Sequence, residues 1–256
     1  MSKPNPRKRS VPQRVRQKQS RPDSDPVWLW GSHAVLAATT NPERNIHRLV
    51  GTSNAVRRLS IEGAELLAAK DIDLLLPRGA VHQGIAVLAD PLAPIDIAQL
   101  VETEANRVTV LDQVADPHNL GAIFRSAAAF GFGGVVLQTR HAPEVTGVVA
   151  KAAAGGIETV PECRVVNIAR ALDALVEADY TVIGLSGYGV APMVDLVQKD
   201  EKVAIVLGAE GAGLRPAVAK ACTAMGRIPM SPAMESLNVS TAAAVAFYLA
   251  AADDYS

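Results

Sequence analysis

The sequence predicts an α/β protein with a parallel sheet in its second half, and three observations lead there. From Arg107 onward, short β-branched apolar runs alternate regularly with Ala-rich helical runs, as strand–helix–strand units require. Three polar loop blocks, at residues 116–125, 207–214 and 228–240, each follow an apolar run and open a helix-like run. That places them at the carboxyl ends of strands, where open α/β sheets build their ligand crevice. Ahead of Arg107 lies a shorter, less regular mixture of strand and helix patterns, so a second, smaller α/β unit is expected.

The N-terminal residues stand apart from both units. Lys3, Arg7, Lys8, Arg9, Arg14, Arg16, Lys18 and Arg21 occur with no acid among residues 1–22, so a formal net charge of −1 conceals a basic arm on an acidic body. The arm, residues 1–25, is rich in Pro, Gln and Ser and after Met1 has only Val11 and Val15 as sizeable apolar residues. Burial cannot offset its ordering entropy, and it is expected to be disordered when free. Two roles stay open for it, an electrostatic tether for nucleic acid and a solubilising tail.

Residues 26–92 make the small domain. Residues 27–31 read as a strand and turn, and 33–38 as a short helix ending near Asn41-Pro42. Further strand-like runs lie at 46–50, 72–76 and 84–89, with a helical pattern over 55–70 that contains Leu59, Ile61, Leu66 and Leu67. Asp90-Pro91-Leu92-Ala93-Pro94 then breaks the pattern, and 93–106 reads as a linker. The large domain is 107–256. Its runs at 108–111, 135–137, 182–185 and 203–207 are apolar throughout, as parallel strands buried on both faces are, and the intervening helices fall at 122–130, 145–154 and 168–178. A last helix, 241–252, is apolar almost all round and must pack on the body or on a partner subunit.

With 256 residues, 49% of them apolar, the chain can bury a core for both domains. Cys163 and Cys222 suggest neither a disulfide framework nor, with the histidines, a zinc site, which fits a reducing cytoplasm and a protein without metal. No apolar stretch approaches the roughly 20 residues of a membrane helix, and the N-terminus lacks a signal-peptide core. A soluble, unexported protein without a membrane partner is expected.

The residues that carry chemistry cluster in the three blocks. The turn at Gly208, Gly211 and Gly213 has the spacing G-x-x-G-x-G and sits late in the chain, which argues against a dinucleotide site. Glycine lets main-chain groups approach a ligand closely, and such a loop suits an adenine or ribose edge. Asn119 falls where a helix N-cap is expected, and Ser236 and Asn238 open the last helix, where small polar residues also cap. Glu210, between glycines, has no apolar role. His118 is the one conventional general base nearby.

The ordered set Asn119 with Arg125, Gly208-Ala209-Glu210-Gly211, and Ile228-Pro229-Met230 with Ser236-Leu237-Asn238-Val239-Ser240 resembles the three signature motifs of the SPOUT class, in its TrmH/SpoU branch of RNA ribose 2′-O-methyltransferases. Gly31-Ser32-His33-Ala34-Val35 and Val81-His82-Gln83-Gly84-Ile85-Ala86 resemble the L30e-like substrate-binding domain of the bacterial 23S rRNA guanosine 2′-O-methyltransferases. Residues 231–235 depart from a commonly glycine-containing stretch and add a carboxylate, Glu235.

The resemblance implies a SPOUT-type parallel sheet with a deep trefoil knot, a homodimer, S-adenosyl-L-methionine as cofactor and ribosomal RNA as partner. It implies cofactor contacts from Leu207, Gly208, Ile228, Met230 and Leu237, and catalytic roles for Asn119, Arg125, Glu210, Ser236 and Asn238; His118 is outside that set. Arg125 would act at the ribose hydroxyl, though a guanidinium is not an ordinary base and can equally neutralise the adjacent phosphate and polarise the hydroxyl. The rival expectations are a tRNA guanosine 2′-O-methyltransferase, a resistance-type rRNA enzyme acting on adenosine, and a noncatalytic knotted rRNA-binding assembly factor.

Overall fold

A computed structural model describes residues 25–140, 142–197 and 201–252, and the basic arm expected at 1–25 lies outside them but for its last residue. The small sheet is built from β1 (Val27–Trp30), β2 (Ile46–Gly51), β3 (Glu65–Leu66) and β4 (Ile85–Ala89), in the order β1-β4-β2-β3. Its β4 pairs antiparallel with β1 and β2, while β3 lies parallel to β2. The helices α1 (Ser32–Thr40), α2 (Ser53–Leu59) and α3 (Ala69–Leu75) connect these strands.

Three local expectations are corrected here. The helix expected over 55–70 stops at Leu59, because Ser60 and Gly63 take left-handed conformations (φ 52° and 73°) that no helix continues through. Of the strand expected at 72–76, residues 72–75 belong to α3 and Leu76 is its C-cap; Ile72 and Leu76 are buried and Leu74 is 84% exposed. In a strand Ile72, Leu74 and Leu76 would share one face, so the exposed Leu74 between two buried residues excludes it, and a five-residue run is too short to reveal that from sequence. The stretch 93–106 holds a helix, α4 (Ile97–Glu102), started by a capping box in which Asp96 and Gln99 bond each other's backbone N–H.

The large sheet comprises β5 (Arg107–Asp112), β6 (Val135–Gln138), β7 (Glu162–Val165), β8 (Thr181–Leu185), β9 (Ala191–Pro192), β10 (Val203–Gly208) and β11 (Ala224–Arg227). Their order is β7-β6-β5-β10-β8-β11-β9, with every pairing parallel. The helices are α5 (Pro117–Ala129), α6 (Gly147–Ala153), α7 (Ile168–Glu177), α8 (Met193–Leu196), α9 (Pro216–Ala221) and α10 (Val239–Ala251). Alternation along β5 shows why both faces must be covered. Val108 and Val110 join Leu172, Leu175 and Val206 on one face, whereas Leu111 joins Leu137, Phe124 and Phe247 on the other. The apolar α10 packs on α5 and β10, with Phe247 stacked on Phe132 at 4.1 Å.

The first core also takes in Leu29, Val35 and Ile85 of the small unit. Two contacts tie the sheets together. Gly147 on α6 lies so close to β1 that a Cβ there would stand 1.9 Å from the Trp30 ring and 2.3 Å from the Trp28 carbonyl. Arg44 binds Glu158 through Nη2–Oε1 (2.6 Å) and Nε–Oε2 (3.2 Å), with the two side chains 2% and 4% exposed. Asn41 and the Asp90 carbonyl complete the hydrogen bonds of this pair. Among the described residues no helix is long and apolar enough to cross a membrane, and no group of His, Cys, Asp or Glu could hold a metal ion.

Candidate active site

The strand order reverses between β5 and β10, which lie side by side with Asp112 and Gly208 in register at their carboxyl ends. A crevice at such a reversal is where an open parallel sheet exposes its loops. The helix that leaves β5 starts at Pro117, five residues ahead of the run expected at 122–130, and its cap lies three residues ahead of Asn119. Asp116, not Asn119, is the N-cap of α5, accepting the His118 N–H at 2.8 Å, because Pro117 is preset for the first helical position. Asn119 is therefore inside the first turn and buried, free to turn its amide toward the neighbouring loops.

The loop after β10 is a tight turn closed by Ala209 and Gly213, each donating its N–H to the other's carbonyl (3.2 and 2.9 Å). Gly211 and Gly213 have φ of 78° and 67°, the left-handed region where side chains are disfavoured. Gly208 is required for a different reason. A Cβ there would stand 2.2 Å from the Gly213 carbonyl carbon, so it is the loop's own return, not a ligand alone, that excludes a side chain.

This turn carries Glu210 to a point where three loops meet. Glu210 Oε1 accepts from Asn119 Nδ2 at 3.0 Å and from Asn238 Nδ2 at 2.9 Å, and Asn238 Nδ2 also donates to Asn119 Oδ1 at 3.0 Å. Asn238 is the N-cap of α10, its Oδ1 accepting from the Ser240 and Thr241 N–H groups and the Ser240 hydroxyl. A helix cap thus fixes the amide that orients the carboxylate. Glu210 is exposed, and its Oε2 has no partner among the described residues, so one acceptor is left open while the other is held.

The other expected residues are not drawn into this cluster. Arg125 lies six residues beyond Asn119, about 9 Å along α5 and on a different face, and is exposed without a hydrogen bond or ion pair among the described residues. Ser236 is exposed just before α10, and Met230 is 36% exposed. Ile228 and Leu237 are half-buried, whereas Leu207 is buried in the sheet.

Several residues at the same sheet edge escaped sequence reasoning. Asp112, fully buried, accepts the Arg215 N–H at 2.9 Å and the Arg215 Nε at 2.8 Å, and Arg215 Nη2 reaches Gln138 at the end of β6 at 3.4 Å. The signal was an Asp closing an apolar strand run and an Arg-Pro pair just past a glycine turn. The loop 186–190 also approaches the crevice, with Gly189 packed on the Gly226 backbone and Tyr188 99% exposed. A separate cleft of about 900 Å³, bordered by Val27, Pro91, Phe124 and the Arg44–Glu158 pair, lies between the two sheets and contains none of the expected site residues.

The SpoU rRNA methylase family matches residues 106–248. An uncharacterised tRNA/rRNA methyltransferase of Synechocystis is 36% identical over 238 residues, 86% of this chain and 61% of that protein, so the chain spans less than two thirds of its length. The 23S rRNA (guanosine-2′-O-)-methyltransferase RlmB of Coxiella burnetii is 34% identical over 235 residues, 86% of this chain and 93% of that protein. Among solved structures, the SpoU methyltransferase AviRb of Streptomyces viridochromogenes in complex with AdoMet superposes with a TM-score of 0.75 at 22% identity, covering 90% of this chain and 91% of that one. This likeness shows the same fold.

Proposed function

The chain belongs to the SpoU rRNA methylase family, and from that premise we propose that it is an enzyme transferring the methyl group of S-adenosylmethionine to a ribose 2′-hydroxyl of large-subunit ribosomal RNA. A guanosine is the proposed target, as for the Coxiella relative. One observation carries the reading. Loops separated by 91 and 28 residues in sequence converge on a single carboxylate, Glu210, held by Asn119 and Asn238. Such a preorganised acceptor can receive a ribose hydroxyl without reorganising as the reaction proceeds.

S-adenosylmethionine is supported by the AdoMet complex of the structural neighbour. The loops here fit a ligand held by main chain. A Cβ at Gly187 would stand 3.8 Å from the Glu235 carbonyl, so the loops 186–190 and 231–236 lie side by side. Gly208, Ile228, Met230 and Leu237, over Leu207, are assigned to hold the cofactor, in the knotted C-terminal arrangement proposed for this sheet. When bound, it supplies an electrophilic methyl group on sulfur.

The chain's own residues do the rest. Glu210 and Asn119 orient the hydroxyl, Asn238 and Ser236 hold the loop against it, and Arg125, a permanent cation, neutralises the adjacent phosphate and polarises the hydroxyl. Because Arg125 is exposed on its own chain, it acts at the site of a second copy, in a homodimer packed across α5 and α10. Tyr248, 55% exposed on α10 and set edge-on to Phe130 at 6.0 Å, would lie in that contact. Light scattering at micromolar concentration should report a dimer, and a stable, active monomer would exclude this arrangement.

Mapping 2′-O-methylated nucleotides in rRNA and tRNA from cells with and without the gene tests the substrate. A missing mark in large-subunit rRNA is expected. A missing mark in tRNA would move the assignment to the tRNA enzymes, and no missing mark would favour a noncatalytic assembly factor.

A further inference from the structure

We propose that Arg215, held rigid by Asp112, is an RNA-binding residue that clamps one backbone phosphate of the substrate strand beside the crevice; this rests on the RNA-methylating reading above. Asp112 ends β5 in register with Gly208 and is fully buried, while the Arg215 side chain, just past the glycine turn, is 37% exposed. Asp112 thus stands at the start of the loop that leads to Asn119, and Arg215 at the end of the loop that carries Glu210. Whatever ribose meets Glu210 brings its flanking phosphates to this edge of the sheet.

The division of contacts within the pair indicates more than loop closure. Closing the glycine turn needs only the bond from the Arg215 N–H to Asp112 Oδ2 (2.9 Å), which a neutral acceptor could receive. Burying a full carboxylate instead carries a large desolvation cost, which a guanidinium offsets. Here the guanidinium is gripped on one side, with Nε at 2.8 Å from Asp112 Oδ1 and Nη2 at 2.6 Å from the same oxygen. Gln138 steadies Nη2 from β6 at 3.4 Å. Nη1 has no partner among the described residues, and the planar fork therefore presents a fixed, partly solvated donor edge. Arginine so oriented is matched to phosphate oxygens, and it loses little entropy on binding because its rotamer is already fixed.

The test uses the full chain, a large-subunit rRNA fragment and a salt series, with AdoMet calorimetry alongside. Arg215→Met should weaken RNA binding about tenfold and make the log–log salt dependence shallower by about 0.7 to 0.9, leaving AdoMet affinity unchanged. Since Arg215→Met strands a buried carboxylate, the double variant Asp112→Asn/Arg215→Met is measured too; it keeps an acceptor for the residue-215 N–H without a buried charge. Arg215→Lys should retain the salt slope but bind more weakly, because an ammonium cannot bridge Asp112 and phosphate in one plane. RNA affinity and slope at wild-type values in the double variant would overturn the proposal. So would weaker binding with an unchanged slope, which would assign the contact to base or sugar, and so would parallel loss of AdoMet affinity, which would make the pair structural. RNA binding absent from the wild-type chain would overturn the functional reading as well.

Discussion

The small and large sheets both gather loops at one end of their strands, but they bring different chemistry together there. In the small sheet, β1, β2 and β3 run in one direction and β4 runs antiparallel to β1 and β2, so the loops that follow β1, β2 and β3 share one end with the loop that enters β4. Its outer strand β3 is two exposed residues, of which Glu65 pairs with Arg48 of β2 in solvent. In the large sheet every strand is parallel, and all loops following strands emerge at one edge regardless of their separation in sequence. That is why Asn119, Glu210 and Asn238 can share hydrogen bonds. What differs is the polar chemistry gathered there: in the large sheet a carboxylate held by two amides, in the small one the neutral Gln83 carbonyl, which accepts from the Ser32 N–H and from Lys151.

Whether the two sheets are one cooperative unit is open to the sharpest test. Arg44→Ala leaves Glu158 buried without its partner and should cost about 3 to 5 kcal/mol. Thermal unfolding should remain a single transition at lower temperature; two separated transitions would show that the sheets melt independently. Arg125→Ala should lower methyl transfer by about 100- to 1,000-fold with AdoMet affinity within a few-fold, read by labelled-methyl transfer and calorimetry. Wild-type turnover would remove Arg125 from the reaction.

Gly208→Val tests the rim of the large sheet itself. A side chain that must displace the Gly213 backbone should cost about 1 to 3 kcal/mol and weaken AdoMet binding as the turn deforms. Unchanged affinity would put the cofactor elsewhere. The smallest effect is expected from deleting residues 1–22. RNA binding should weaken and its salt slope fall by about 0.7 to 0.9 for each phosphate that the arm no longer neutralises, with the methylated position unchanged because phosphate contacts do not read sequence. Identical slopes would make the arm a solubilising tail.

Much of this architecture is legible in the chain. The strand–helix alternation after Arg107, the bounds of α1 and α10 to within two residues, and the polar loops that supply Asn119, Glu210 and Asn238 all follow from local pattern. Where pattern and structure part, the causes are local as well. Residues 72–76 form too short an apolar run for its period to be read, and the break at Ser60 depends on a backbone angle that serine does not announce. The cap of α5 is legible in principle, since an Asp-Pro pair such as Asp116-Pro117 starts helices, but Asn119 three residues on is an equally good capping residue type.

What the sequence by itself determined is the list of parts: which residues are apolar with which period, where glycine permits a turn, and which polar residues stand at strand ends. Tertiary structure alone decided which parts meet. Strand order, set by burial on both faces of the sheet, put β10 beside β5 and so brought Gly208 into register with Asp112, 96 positions earlier in the numbering. The same order joined Arg215 to Asp112 and left Arg125 on an outward face. Neither outcome is encoded locally, because contacts between distant residues depend on how whole elements pack, and packing is a property of the assembled core rather than of any segment.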